Sequence, residues 1–153
     1  MDIEFEKKIA QAFIYKNKRE RFIFDMTKKD NDIFGEVTRT RFNAICRLEK
    51  IIDEAYLIMK SSQNPSPDEL IKTMAMYGVG KKCYVLSEYK DLDGAYVDLR
   101  LAVDKLYCNG FPSLIVGLPS GFSHFKYESF ASTQPNCFLK PMARFDSVPW
   151  TMQ

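Results

Sequence analysis

The chain has 153 residues, of which 46% are hydrophobic and 27% charged, the length of one domain of ~100–200 residues. Twenty-two Lys and Arg against twenty Asp and Glu leave +2, so overall charge selects no class of partner. Such a composition excludes disordered, collagen-like and coiled-coil chains.

The first 78 residues read as helical. Phe5, Ile9, Ala12 and Phe13 fall on one helical face, and Phe22, Ile23 and Met26 suggest a second short helix. A connection with Gly35 as breaker is expected over 30–38. The clearest helical stripe runs from Arg39 to Lys60, where Phe42, Ile45, Leu48, Ile52, Ala55, Tyr56 and Met59 step mostly by three or four. Ser66-Pro67-Asp68-Glu69 supplies a capping box and a proline at the first helical position. Gly78 suits the left-handed end of that helix.

After Gly80 the pattern changes. Cys83–Leu86 reads as a strand, Asp91–Gly94 as a loop, and Leu99, Ala102, Val103, Leu106 and Tyr107 as a helix face. Ser113–Leu118 and Phe122–Tyr127 read as a hairpin across Pro119-Ser120-Gly121, and Cys137–Leu139 as a fourth strand. This order predicts an α+β fold, with the N-terminal helices on one face of a small, mainly antiparallel sheet. We expect one domain, with a helical segment over 1–78, a mixed strand and helix segment over 79–140 and an irregular tail over 141–153.

The N-terminus carries acids where a signal peptide is positive, and the longest apolar run, Ala55–Met59, is far short of the ~20 residues of a membrane span. Cys46, Cys83, Cys108 and Cys137 form no Cys-x-x-Cys. Both features fit a reduced, cytoplasmic protein.

Several kinds of chemistry find no support. The single histidine, His124, shares a strand face with Lys126 and is expected to face solvent, without the partners that a zinc site needs. Gly78-Val79-Gly80-Lys81 ends like a phosphate loop, but Ala75 and Lys82 stand where that motif has Gly and Ser or Thr. Asp91-Leu92-Asp93-Gly94 resembles a fragment of a calcium loop, yet Tyr89 and Arg100 occupy ligand positions. No cofactor is called for. An enzyme using Cys83 or Cys108 as nucleophile is the weakest reading, since a Cys–His pair needs a third, orienting group.

Two charged segments remain. Between Lys7 and Arg21 six cations, among them Lys16, Lys18, Arg19 and Arg21, face Glu20 alone, a stripe able to contact phosphates. Between Glu88 and Asp98, the acids Glu88, Asp91, Asp93 and Asp98 face Lys90, with Tyr89 and Tyr96 beside them. Tyr89, Tyr96, Phe122, Phe130 and Phe145 fall outside clear apolar faces, where aromatics serve as interface anchors.

The run Cys83-Tyr84-Val85-Leu86-Ser87-Glu88, then Asp91-Leu92-Asp93-Gly94, an amphipathic helix and a strand ending in a Pro-x-Gly turn is similar to a group of small bacterial proteins over residues 83–139. That resemblance implies a bacterial origin and a free-standing domain, and it transfers no activity and no site residues. The leading expectation is a non-enzymatic protein that binds another protein, in concrete form an immunity- or antitoxin-like inhibitor. Its acidic loop (Glu88, Tyr89, Asp91, Asp93, Tyr96, Asp98) would cover a basic site on a toxin. The alternative is a nucleic-acid-binding module using Lys16, Lys18, Arg19 and Arg21.

Overall fold

Asp2 starts the first helix, α1 (Ile3–Phe13), by accepting a hydrogen bond from the Phe5 backbone N–H at 3.0 Å. The computed structural model describes residues 1–28, 33–34, 37–61, 65–107, 109, 112–126 and 136–141. A short 3-10 turn, Lys16–Lys18, leads into α2 (Arg19–Thr27), and β1 (Ile33–Phe34) pairs with β2 (Val37–Thr38). Then come α3 (Arg39–Cys46), α4 (Leu48–Ile51), a 3-10 turn at Glu54–Tyr56 and β3 (Leu57–Ser61).

The continuous helix expected over 39–60 is thus corrected. The chain after α4 is tied to the chain after α1: Tyr15 N–H donates to Ile51 O at 2.9 Å, and Asp53 N–H donates to Phe13 O at 2.7 Å. Asp53 then caps the 3-10 turn through Ala55 N–H, and Leu57 and Met59 pair with the last strand, β8 (Asn136–Leu139). Long-range backbone pairing overrides the helical spacing of Ala55, Tyr56 and Met59, whose step is weak evidence over so few residues.

The second half follows the expected order with one strand added, Tyr96–Asp98, which the sequence pattern does not reveal and which forms by pairing with residues 82–84. Helix α5 (Pro67–Met76) carries the capping box of Ser66 and Glu69 and ends at Gly78, at φ 86°. Strand β4 (Val79–Ser87) is followed by β5 (Tyr96–Asp98), then by α6 (Leu99–Ala102), which runs into a π-helical turn, Val103–Tyr107. Strands β6 (Ser113–Pro119) and β7 (Ser123–Lys126) join β8 to complete a six-stranded antiparallel sheet in the order β3-β8-β7-β6-β4-β5.

The fold is α+β, and both faces of the sheet are covered. Tyr84, Leu86, Leu114, Val116, Phe125 and Leu139 pack with α1–α4. Cys83, Val85, Ile115, Phe122 and Phe138 pack with α5, α6 and the π-helical turn. Double coverage explains why β4 and β6 read as unbroken apolar runs instead of alternating ones. It also corrects the reading of His124, which shares its face with Lys126 but is 0% exposed, with the rings of Tyr107 and Phe138 edge-on to it at 5.7 and 5.3 Å. Lys126 is half-buried over the Tyr107 ring, 4.6 Å from its centre. Among the described residues no helix is long and apolar enough to cross a membrane. Cys108, Phe130 and Phe145, singled out above, lie outside the described residues.

Candidate functional site

The acidic segment is built around Arg41 of α3. Its guanidinium donates to Glu6 (Nη1–Oε2 2.9 Å, Nη2–Oε1 2.7 Å), to Asp93 (Nε–Oδ2 2.7 Å, Nη2–Oδ1 3.1 Å) and to Met26 O at 3.2 Å. A guanidinium has five N–H groups, and these five bonds use them all. Tyr84 Oη donates to Glu6 at 2.8 Å, Tyr96 Oη to Asp2 at 2.6 Å, and Ser87 N–H to Asp93 at 3.2 Å. Burial lowers and the two carboxylates raise the Arg41 pKa, the net shift being upward. Burial pushes the Asp93 carboxyl up by more than Arg41 draws it down. With its groups bonded to one another, the network clamps α1 and α3 to the β4–β5 turn and leaves the guanidinium no donor for a ligand.

The six residues expected to meet a protein partner are consequently scattered in character. The Asp93 side chain is 1% exposed and spent on Arg41, because a loop carboxylate beside an internal guanidinium turns inward. Tyr96 is half-buried and bonded to Asp2. Glu88 is half-buried, with Cys46 Sγ 3.9 Å from its Oε2. Tyr89 is half-buried, and its hydrogen bond with Asp91 raises the phenol pKa. Asp98 is exposed but paired with Lys82 at 3.1 Å. Asp91 is exposed.

Two of the described cysteines are buried. Cys83 is 0% exposed, and burial, followed by the charge of Asp98, pushes its thiol up to about 12. Cys137 is buried. Among the described residues no group of three or more His, Cys, Asp and Glu is placed to hold a metal ion.

The basic stripe fares differently. Lys18, Arg21, Phe22 and Asp25 recur at three- and four-residue steps from the start of α2, which puts them on one face. Arg47 and Lys50, three residues apart, approach from α4 and its N-terminal boundary. Together with Ala44 and Ile51 these residues line a cavity of ≈ 400 Å³. Four cations thus surround one carboxylate. Phe22 and Ala44 are buried in the core below. Asp25 Oδ2 accepts from Arg21 Nε at 3.1 Å and lies 3.6 Å from Arg47 Nη2. Lys18 and Lys50 are exposed and form no ion pair with a described residue.

Of the stripe, then, Lys18 and Arg21 reach the cavity. Lys16 is exposed on the 3-10 turn, and Arg19 is half-buried with Nε donating to Ile14 O at 3.0 Å. Sequence reasoning misses Asp25, Arg47 and Lys50. The helical spacing of Lys18, Arg21 and Asp25 is a usable signal for the first, but only the packing of α2 against α3 and α4 brings the other two across. A larger depression of ≈ 460 Å³ lies between α5, β4 and α6, but it carries Lys81 and Arg100 against Asp98 and Asp104 and so has no net sign.

Comparison with known protein families, with curated proteins and with solved structures finds no match for this chain.

Proposed function

We propose that the protein binds single-stranded nucleic acid, with phosphates held by Lys18, Arg21, Arg47 and Lys50. The observation that supports this reading is the convergence of four exposed cations from two chain segments on one cavity. Long-stemmed cations scattered on a helix are ordinary surface. Cations gathered around a concavity raise the local concentration of an anionic ligand. Tyr15 is 36% exposed and bonded through its backbone to the lining residue Ile51, and bases stack on exposed aromatic rings in strand-binding proteins. The reading of the acidic segment as a cover for a basic target is the weaker one, since Asp93 is internal and Asp98 is already paired.

A fluorescently labelled single-stranded RNA of mixed sequence, titrated with the protein, tests this. Four phosphate contacts on a single strand predict a loss of about fiftyfold in affinity from roughly 50 to 200 mM salt. Lys18→Glu and Lys50→Glu, at positions without an ion pair to a described residue, should each weaken binding by at least about tenfold. Absence of binding at low salt, or an affinity indifferent to salt and to both reversals, would overturn the proposal.

A further inference from the structure

Asp25 is an odd member of a phosphate-binding wall, since a carboxylate repels phosphate. Its side chain is 4% exposed, and one of its oxygens gathers the cations. Oδ2 accepts from Arg21 Nε at 3.1 Å and lies 3.6 Å from Arg47 Nη2. Two guanidiniums from different chain segments are thus held beside a single atom, and neither is used up there. Arg21 gives Asp25 one of its five N–H groups, and Arg47 gives one, through Nε, to Asn43 O at 3.3 Å. The 3.6 Å contact is too long for a hydrogen bond. Each guanidinium therefore keeps its Nη1 and Nη2 groups without a hydrogen bond to a described residue. That paired edge is the one that grips phosphate bidentately, and the two side chains are 76% and 56% exposed.

Resting on the strand-binding reading above, we infer that this cavity takes the phosphorylated end of a strand, with Arg21 and Arg47 together on one terminal phosphomonoester. A linkage inside a strand has a single charge and two free oxygens, too few for two forks to engage fully at once. A terminal monoester carries about −1.5 to −2 at neutral pH and three acceptor oxygens, so each fork can hold two oxygens with one shared between them. The charge of the lining favours the same group. Four cations against Asp25 leave three positive charges around one cavity of ≈ 400 Å³, most of which a single internal linkage would leave uncompensated. Lys18 and Lys50 add attraction as point charges, without the geometric demand of a fork. Phe22, Ala44 and Ile51 complete the lining with apolar side chains that do not compete for the phosphate oxygens.

The test uses one internally labelled RNA of mixed sequence in four forms: with a 5′-phosphate, with a 3′-phosphate, with hydroxyls at both ends, and with the 5′-phosphate closed as its methyl ester. A phosphorylated strand should bind about tenfold more tightly than the hydroxyl-ended one, the effect of one further charge-assisted contact. The two phosphorylated forms show which end is taken. The methyl ester, a diester again, should bind like the hydroxyl-ended strand. Arg21→Lys and Arg47→Lys, which keep the charge and lose the fork, should each bring the ratio to about one. AMP should displace the phosphorylated strand only at higher concentration than the unlabelled strand does. Equal affinity for all four forms, a methyl ester as tight as the free phosphate, or a preference that survives both substitutions overturns end recognition and leaves strand binding standing. AMP as effective as the strand assigns the cavity to a free nucleotide and overturns end recognition as well. Failure of every strand to bind overturns both.

Discussion

Arg41 grips Glu6 with both terminal nitrogens, at 2.7 and 2.9 Å, between side chains only 2% and 3% exposed. The same guanidinium neutralises Asp93, so two internal carboxylates share one cation. Removing one partner of a buried pair costs about 3–5 kcal/mol. Arg41→Met should lose at least that much in urea unfolding, and Arg41→Lys should recover only a fraction, having three donors in place of five. A loss below about 1 kcal/mol for Arg41→Met, the value expected of an exposed pair, would contradict the clamp.

Asp91 and Asp93, two residues apart, should respond differently to neutralisation. Asp93→Asn leaves Glu6 as the counter-charge of Arg41 but sets an amide with one acceptor oxygen against the paired donors Nε and Nη2, and should lower the unfolding midpoint clearly. Asp91→Asn, at an exposed position, should stay within about 0.5 kcal/mol of wild type. Matched effects in thermal and urea melts would refute the inward placement of Asp93.

Burial raises the Asp2 carboxyl pKa, but the hydrogen bonds from Tyr96 and the Phe5 N–H, with the positive charges of the N-terminus and Lys8, carry it below the ordinary value. A depressed carboxylate contributes stability that is complete above the usual carboxylate pKa and fades as pH falls through the lowered one. Asp93, raised first by burial, acts with the opposite sign: its contribution is complete below the usual carboxylate pKa and is lost as pH rises through the raised one. Asp2→Asn keeps a capping side chain and isolates the first effect. Its stability should fall less steeply on acidification than that of wild type, and parallel curves would remove Asp2 from the acid response.

The thiol of Cys83 should be inert. With its pKa at about 12 and no exposure, it presents almost no thiolate near neutral pH, and thiolate is the reacting form. Iodoacetamide at mildly alkaline pH, followed by peptide mass spectrometry, should find Cys83 unmodified in the native protein and modified in urea. Fast, selective labelling of Cys83 in the native protein would revive a nucleophilic role.

Gly117 marks a close approach inside the sheet. A Cβ there would lie 2.6 Å from a Val79 methyl and 2.8 Å from the Phe122 carbonyl oxygen. The backbone oxygen cannot turn aside, so Gly117→Ala should cost about 1–3 kcal/mol as overpacking does. An unchanged melting temperature would show that β4 and the turn before β7 can yield at this point.

Features that one segment decides alone are readable from the sequence. The Ser66–Glu69 capping box, the Gly78 stop and the hairpin through Pro119-Ser120-Gly121 depend on neighbours in the chain. Ala55, Tyr56 and Met59 mislead because the strand over 57–61 takes its place by pairing with residues 136–139, while their own steps of three and four suit a helix. For His124 the alternation of the strand gives the right face and the wrong surroundings, since one strand cannot reveal what packs on it. The cavity divides in the same way: Lys18 and Arg21 stand out as local charge density, while Arg47 and Lys50 enter only through helix packing. Asp93 looks like surface because its counter-ion, Arg41, is 52 residues away.

The strand order places β8 between β3 and β7, so among the described strands β3 joins the sheet through one made long after it. On a ribosome, residues 57–61 emerge with no edge to pair with and wait until residues 136–139 leave the exit tunnel. Until then the apolar faces of Leu57 and of α1–α4 have an unfinished sheet beneath them. The interval between those two segments is the period in which the nascent chain most needs shielding from other nascent chains.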